Sequence, residues 1–187
     1  MTLKEAEQHL ITQLKEIDGP GEAGSISDLV FEHITGKKRL DRLSAKQPPL
    51  TREQIEKLLT ITKRLLMHEP IQYVLNEAWF CGLKFYVDNN VLIPRPETEE
   101  LVEWIISNCR FPVDELKILD IGSGSGCIPI SLKRRIRKAE VWGCDISDEA
   151  LNIARRNADT LGATIDFIQL DFLKEEQRKQ LPTLISS

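Results

Sequence analysis

The stretch Asp120-Ile121-Gly122-Ser123-Gly124-Ser125-Gly126 sets three glycines at alternate positions after a short apolar run. Glycines so placed allow a tight turn and let a ligand approach the backbone closely. Asp145 stands 23 residues beyond Gly122, at the end of a second apolar run. An acidic side chain there can accept both hydroxyls of a ribose. Asp171 and Phe172 follow a third run and suit an adenine amino group and an adenine face. Three consecutive strand ends thus carry nucleoside-compatible residues on one edge of a parallel sheet, where open α/β sheets bind ligands. A packing turn with acids that merely solvate strand ends does not explain that order.

The D-x-G-x-G-x-G spacing favours S-adenosylmethionine over a dinucleotide. No G-x-G-x-x-G is present, because Cys127 and Pro129 occupy the positions of its third glycine, and a Walker A lysine is absent. Arg95 and Glu97 lie beside the expected cofactor entrance and either shape a substrate channel, or pair with each other or cap the following helix. Lys133, Arg134, Arg135, Arg137 and Lys138 read as a solvated helix end rather than an RNA contact. His9, His33 and His68 are isolated and read as structural. Cys81, Cys109, Cys127 and Cys144 contain no CxxC, which argues against zinc and a disulfide framework and for reduced thiols.

The elements that must position these residues change character along the chain. Thr2 and Glu5 form a capping-box pair before Leu3, Ala6, Leu10, Leu14 and Ile17 at helical spacing. Asp18-Gly19-Pro20-Gly21 is expected to stop that helix, and Ser25 or Ser27 to cap a second. Thr51 and Gln54 make another capping box, with Ile55, Leu58, Leu59, Thr62, Leu65 and Leu66 marking one face. Residues 1–75 therefore read as a small helical domain. Residues 76–93 read as a β-hairpin connector around Gly82, with a dense aromatic group (Tyr73, Trp79, Phe80, Phe85, Tyr86) expected to pack between domains.

From Pro94 helix and strand alternate. A helix from Pro96 to about Cys109 with Leu101, Val102 and Ile105 inward precedes the strand Lys117–Ile121. The glycine turn leads into a helix carrying Ile130, Leu132 and Ile136. Further strands are expected at 141–144 and 165–168, with a helix from Ser147 to Leu161 between them and a possible fourth strand at Leu184-Ile185. Residues 94–187 thus read as the first half of an α/β, Rossmann-like domain.

Glu69-Pro70-Ile71-Gln72-Tyr73-Val74-Leu75, Trp79-Phe80-Cys81-Gly82-Leu83 and Leu92-Ile93-Pro94-Arg95-Pro96-Glu97-Thr98-Glu99, followed by Asp120 to Gly126 and Asp145, resemble the release-factor glutamine methyltransferase family. The likeness covers most of the chain, and the Ile-Pro-Arg-Pro-Glu-Thr-Glu segment is not shared by methyltransferases generally. The resemblance implies transfer of a methyl group from S-adenosylmethionine to the glutamine amide in the Gly-Gly-Gln loop of class 1 peptide chain release factors. It also implies that the N-terminal helices recognise the substrate, and that Gly122, Ser123, Gly124, Ser125, Gly126 and Asp145 hold the cofactor, with Asp171 and Phe172 added by their place after the third strand. The family's Asn-Pro-Pro-Tyr motif is not among these residues, so the sequence reads as an N-terminal piece, inactive alone. Rival readings are a nucleotide-responsive binding module without chemistry and, less favoured by the glycine spacing, an NAD-dependent oxidoreductase.

Composition bounds these readings. The 187 residues carry a formal net charge of −4, split as −1 over residues 1–93 and −3 over 94–187. Neither part has the basic excess of a dedicated nucleic-acid binder. At 41% hydrophobic and 29% charged, the chain is excluded from the disordered, collagen-like and coiled-coil classes. No apolar run approaches the roughly 18 residues of a membrane span, and residues 1–10 lack a signal-peptide core. The cytoplasm is the expected compartment, with no membrane partner.

Overall fold

A computed structural model describes residues 1–43, 47–108 and 116–181, which form two compact units divided between Leu75 and Asn76. The first unit is helical: α1 (Leu3–Thr35), α2 (Arg39–Arg42), α3 (Arg52–Leu65) and α4 (Ile71–Leu75). Both expected capping boxes form, Thr2 with Glu5 and Thr51 with Gln54. The core gathers Leu10, Leu14, Val30 and Phe31 from α1 with Leu58, Ile61 and Leu65 from α3.

Two helix expectations are corrected here. The Asp18–Gly21 stretch bends the helix rather than ending it. Gly19 alone leaves helical geometry (φ 77°, ψ 166°), and Pro20, which lacks an N–H, resumes the helix where a first-turn donor would have no partner anyway. Ser25 therefore lies inside the helix, its hydroxyl donating to the Gly21 carbonyl, and Ser27 is buried; neither is a cap. On α3 the buried face runs through Leu58, Ile61 and Leu65, so Leu59 and Leu66 are exposed.

The second unit opens with an antiparallel hairpin, β1 (Ala78–Phe80) and β2 (Leu83–Phe85), in register Phe80 to Leu83. Cys81 and Gly82 both take positive φ (48° and 71°), the two-residue turn that matches strand twist. Phe80 and Phe85 meet edge to face at 6.2 Å and join Val102, Ile130, Leu132 and Ala158 in this unit's own core. Trp79 is exposed, so the aromatic group does not pack as one cluster. Residues 91–93 form no strand.

Helix α5 (Pro96–Asn108) buries Val102 but leaves Leu101 exposed. The parallel sheet follows: β3 (Lys117–Ile121), β4 (Glu140–Asp145) and β5 (Asp166–Gln169) in that spatial order, with α6 (Cys127–Arg135) and α7 (Asp148–Leu161) as crossovers and α8 (Glu175–Arg178) last. This is an α/β, Rossmann-like arrangement. Pro129 falls in the first turn of α6; Ser147 caps α7 and Gly162 closes it in the left-handed conformation. The possible strand at Leu184-Ile185 and Cys109 lie outside the described residues.

Candidate functional site

The glycine turn sits at the carboxyl end of β3, laced to the neighbouring strand. The N–H groups of Gly122 and Ser123 both donate to the Cys144 carbonyl, at 2.8 and 3.0 Å. Gly122, Gly124 and Gly126 have φ of 79°, 52° and 78°, which side-chain-bearing residues rarely adopt. A Cβ at Gly122 or Gly124 would meet nothing within 4 Å, whereas one at Gly126 would lie 3.0 Å from Ile130 Cδ1 and 3.1 Å from Ala154 Cβ. The first two glycines thus border open space, and the third packs α6 against α7.

Asp145 ends β4 beside this turn. Its Oδ2 accepts from the Gly124 N–H at 2.9 Å and its Oδ1 from the Ser147 N–H at 3.0 Å. A carboxylate offers about four acceptor positions, so each oxygen keeps capacity for a ligand hydroxyl. The Ser123 hydroxyl donates to the Asp120 carbonyl at 3.2 Å, and Ser123 and Ser125 are both buried, so their side chains serve the turn itself.

Beyond β5, the Leu170 N–H donates to the Asp145 carbonyl at 3.0 Å, bringing Asp171 and Phe172 to the same sheet edge. Asp171 is partly engaged: its Oδ1 accepts from the Leu173 N–H at 3.0 Å, and Lys174 Nζ stands 3.7 Å from Oδ2. The Arg178 guanidinium lies 5.7 Å from the Phe172 ring centre. Arg95 and Glu97 are exposed at the start of α5, and among the described residues no ion pair joins them to each other or to the turn. The basic run caps structure instead: Lys133 and Arg134 donate to the carbonyls of Ala139 and Leu161, and Arg135 grips Glu103 through two bonds.

Sequence reasoning missed four residues at this site. Asp120 Oδ2 is buried with no hydrogen-bond partner among the described residues. Burial, and secondarily the Asp145 charge, raise its carboxyl pKa above the ordinary value. Gly143 in β4 is required sterically, since a Cβ there would come within 2.6 Å of Ser123 Oγ and 2.7 Å of the Phe167 ring. Ile146, next to Asp145, exposes a large apolar surface at the site. Asn157 is a buried polar residue on α7. Only Asp120 had a signal available, as the acid that opens the glycine motif.

The three described thiols are poor nucleophiles. Burial raises those of Cys81 and Cys144, and pushes Cys127 up to about 11. Among the described residues no cluster of three His, Cys, Asp or Glu side chains could hold a metal.

Comparison with known proteins agrees with this geometry. Residues 5–75 match the PrmC N-terminal domain and residues 118–185 a methyltransferase domain. The release factor glutamine methyltransferase of Flavobacterium psychrophilum is 41% identical over 182 residues, covering 96% of this chain and 64% of that protein. That of Lactococcus lactis is 43% identical over 146 residues, covering 78% and 53%. That of Chlorobaculum tepidum is 39% identical over 165 residues, covering 85% and 55%. The chain spans under two thirds of the length of each of these curated relatives. The matches favour neither the non-catalytic nor the oxidoreductase reading. With a helical unit that matches one of these domains and a glycine-turn α/β unit that matches the other, the chain is similar over nearly its whole length to release factor glutamine methyltransferases.

Proposed function

We propose that residues 76–187 bind S-adenosylmethionine, and that a protein carrying this chain methylates the glutamine side-chain amide in the Gly-Gly-Gln loop of class 1 peptide chain release factors. The observation that carries the reading is the Asp145 carboxylate, fixed by the Gly124 and Ser147 N–H groups at the carboxyl end of a parallel sheet. The residues fit the group. Asp145 keeps acceptor capacity for ribose hydroxyls, the space before Gly122 and Gly124 admits a close backbone approach, and the orphaned Asp120 oxygen suits the ammonium of a methionine moiety. Ile146 and Phe172 offer apolar faces to an adenine, and Asp171 an acceptor for its amino group.

The cofactor supplies an electrophilic methyl group on a sulfonium. An amide nitrogen is a poor nucleophile because its lone pair is delocalised into the carbonyl, so the protein's task is alignment and exclusion of water. Arg95 and Glu97, exposed before α5, are the proposed substrate-side residues, and the helical unit the proposed recognition module. The test is tritium transfer from methyl-labelled S-adenosylmethionine to an unmethylated release factor by a longer protein that carries residues 1–187 together with the family's Asn-Pro-Pro-Tyr motif. Label on the Gly-Gly-Gln glutamine supports the reading; label absent from the factor, or found on another residue, overturns it.

A further inference from the structure

Asn157 lies on α7 among Ala150, Leu151, Ile153, Ala154 and Ala158, and it is the polar member of that buried face. It is only 2% exposed. An apolar residue would fill the position without losing the hydration of an amide. Asparagine is also a poorer helix former than the alanines around it. Its presence is explained by three hydrogen bonds. Oδ1 accepts from the Tyr86 N–H at 2.8 Å, and Nδ2 donates to the Tyr86 carbonyl at 2.9 Å and to the Ser125 carbonyl at 2.9 Å. The first two imitate a strand pairing with the segment leaving the hairpin. The third fixes the peptide plane between Ser125 and Gly126 inside the glycine turn.

That plane matters because of its neighbours. Gly126 donates to the Ser123 carbonyl at 2.8 Å and caps α6, and Gly124 presents its N–H to Asp145. Rotating the Ser125 carbonyl would turn the Gly126 N–H, which shares its peptide plane, away from the Ser123 carbonyl and so loosen the turn that carries Gly124. Tyr86 is held a second way, by the Arg156 guanidinium 3.6 Å from its ring centre. From Tyr86 the chain passes through an Asp88–Asn90 turn to residues 92–99, which carry Arg95 and Glu97. One side chain therefore ties the root of the proposed substrate segment to the proposed cofactor turn.

We infer that Asn157 is a positioning residue that holds the glycine turn in its cofactor-binding shape and ties the segment after the hairpin to it. The inference rests on the cofactor reading above. Asn157→Asp keeps the shape but sets an oxygen against two carbonyl oxygens in place of two donated hydrogens. Asn157→Ala removes the contacts without adding charge and serves should the aspartate variant fail to fold. Val102→Ala, a core change outside the turn, supplies a control for lost stability.

Two measurements on the 187-residue chain decide the matter. Calorimetric titration with S-adenosylhomocysteine, below the melting range of every variant, should show affinity weakened about tenfold by either Asn157 change and within about twofold of wild type for Val102→Ala. Amide hydrogen exchange without ligand should be faster at Gly124 and Gly126 in the Asn157 variants and unchanged in the control. Wild-type affinity in the Asn157 variants, or an equal loss in the control, overturns the inference. If wild type itself fails to bind, the cofactor reading falls; exchange at Gly124 and Gly126 then judges the turn-holding role alone, and unchanged exchange overturns it.

Discussion

Two aspartates at the sheet edge do opposite things to the ligand-free protein. Asp145 accepts one backbone N–H on each oxygen, which supports the fold, and keeps acceptor capacity for a ligand. Asp145→Ala should weaken S-adenosylhomocysteine binding by about 1.5–3 kcal/mol and also cost about 1–3 kcal/mol of stability, because the Gly124 and Ser147 N–H groups lose their acceptor. Calorimetry and urea unfolding measure the two effects separately. Asp120 is strained electrostatically: burial raises its pKa above the ordinary 3.8. A carboxyl whose folded pKa is raised binds its proton more tightly in the folded state. Stability is therefore lost as pH climbs from the ordinary carboxylate range through the raised value. Asp120→Asn should then raise the thermal midpoint of the free chain at neutral pH, with the gain fading under acid conditions. The same change should weaken S-adenosylhomocysteine by about 1.5–3 kcal/mol, the range of a charge-assisted bond. A variant neither more stable nor weaker in binding would remove Asp120 from the site.

At the level of elements, local signals were legible and tertiary choices were not. The capping boxes at Thr2 and Thr51, the stop at Gly162 and the Cys81-Gly82 hairpin turn follow from bonds made within a few residues. Helix faces were less readable, because Leu59, Leu66 and Leu101 are as apolar as their buried neighbours and only packing decides which side turns inward. The break at Gly19 needed just one residue outside helical geometry, too little to separate a kink from a stop in advance. Gly143 shows the same limit at the site. In sequence it is an unremarkable strand glycine, yet the turn and the Phe167 ring close on it from two sides. Gly143→Ala should cost roughly 1–3 kcal/mol through overpacking and displace Ser123, so that S-adenosylhomocysteine binding falls with stability. Urea unfolding with parallel calorimetry checks both, and a fully stable, fully binding alanine variant would contradict the contact.

Across the whole molecule, the two units have separate cores, and every residue proposed to touch the cofactor lies in the second. Cofactor affinity and recognition of the protein substrate should therefore respond to different substitutions. Leu10 is almost wholly buried in the helical core with Leu14, Phe31 and Leu58. Truncating such a leucine removes transfer energy and leaves a cavity, about 2–5 kcal/mol in total, against a helical unit of only about 75 residues. Leu10→Ala should loosen that unit, visible as lost helical circular dichroism on mild heating. Its affinity for S-adenosylhomocysteine should stay within about twofold of wild type. In the transfer assay KM for the release factor should rise, while KM for S-adenosylmethionine holds, because the proposed function gives substrate recognition to the helices and nucleoside binding to the glycine turn. A parallel rise in both KM values would show that the helical unit supports the cofactor site itself, and the division of labour would be wrong.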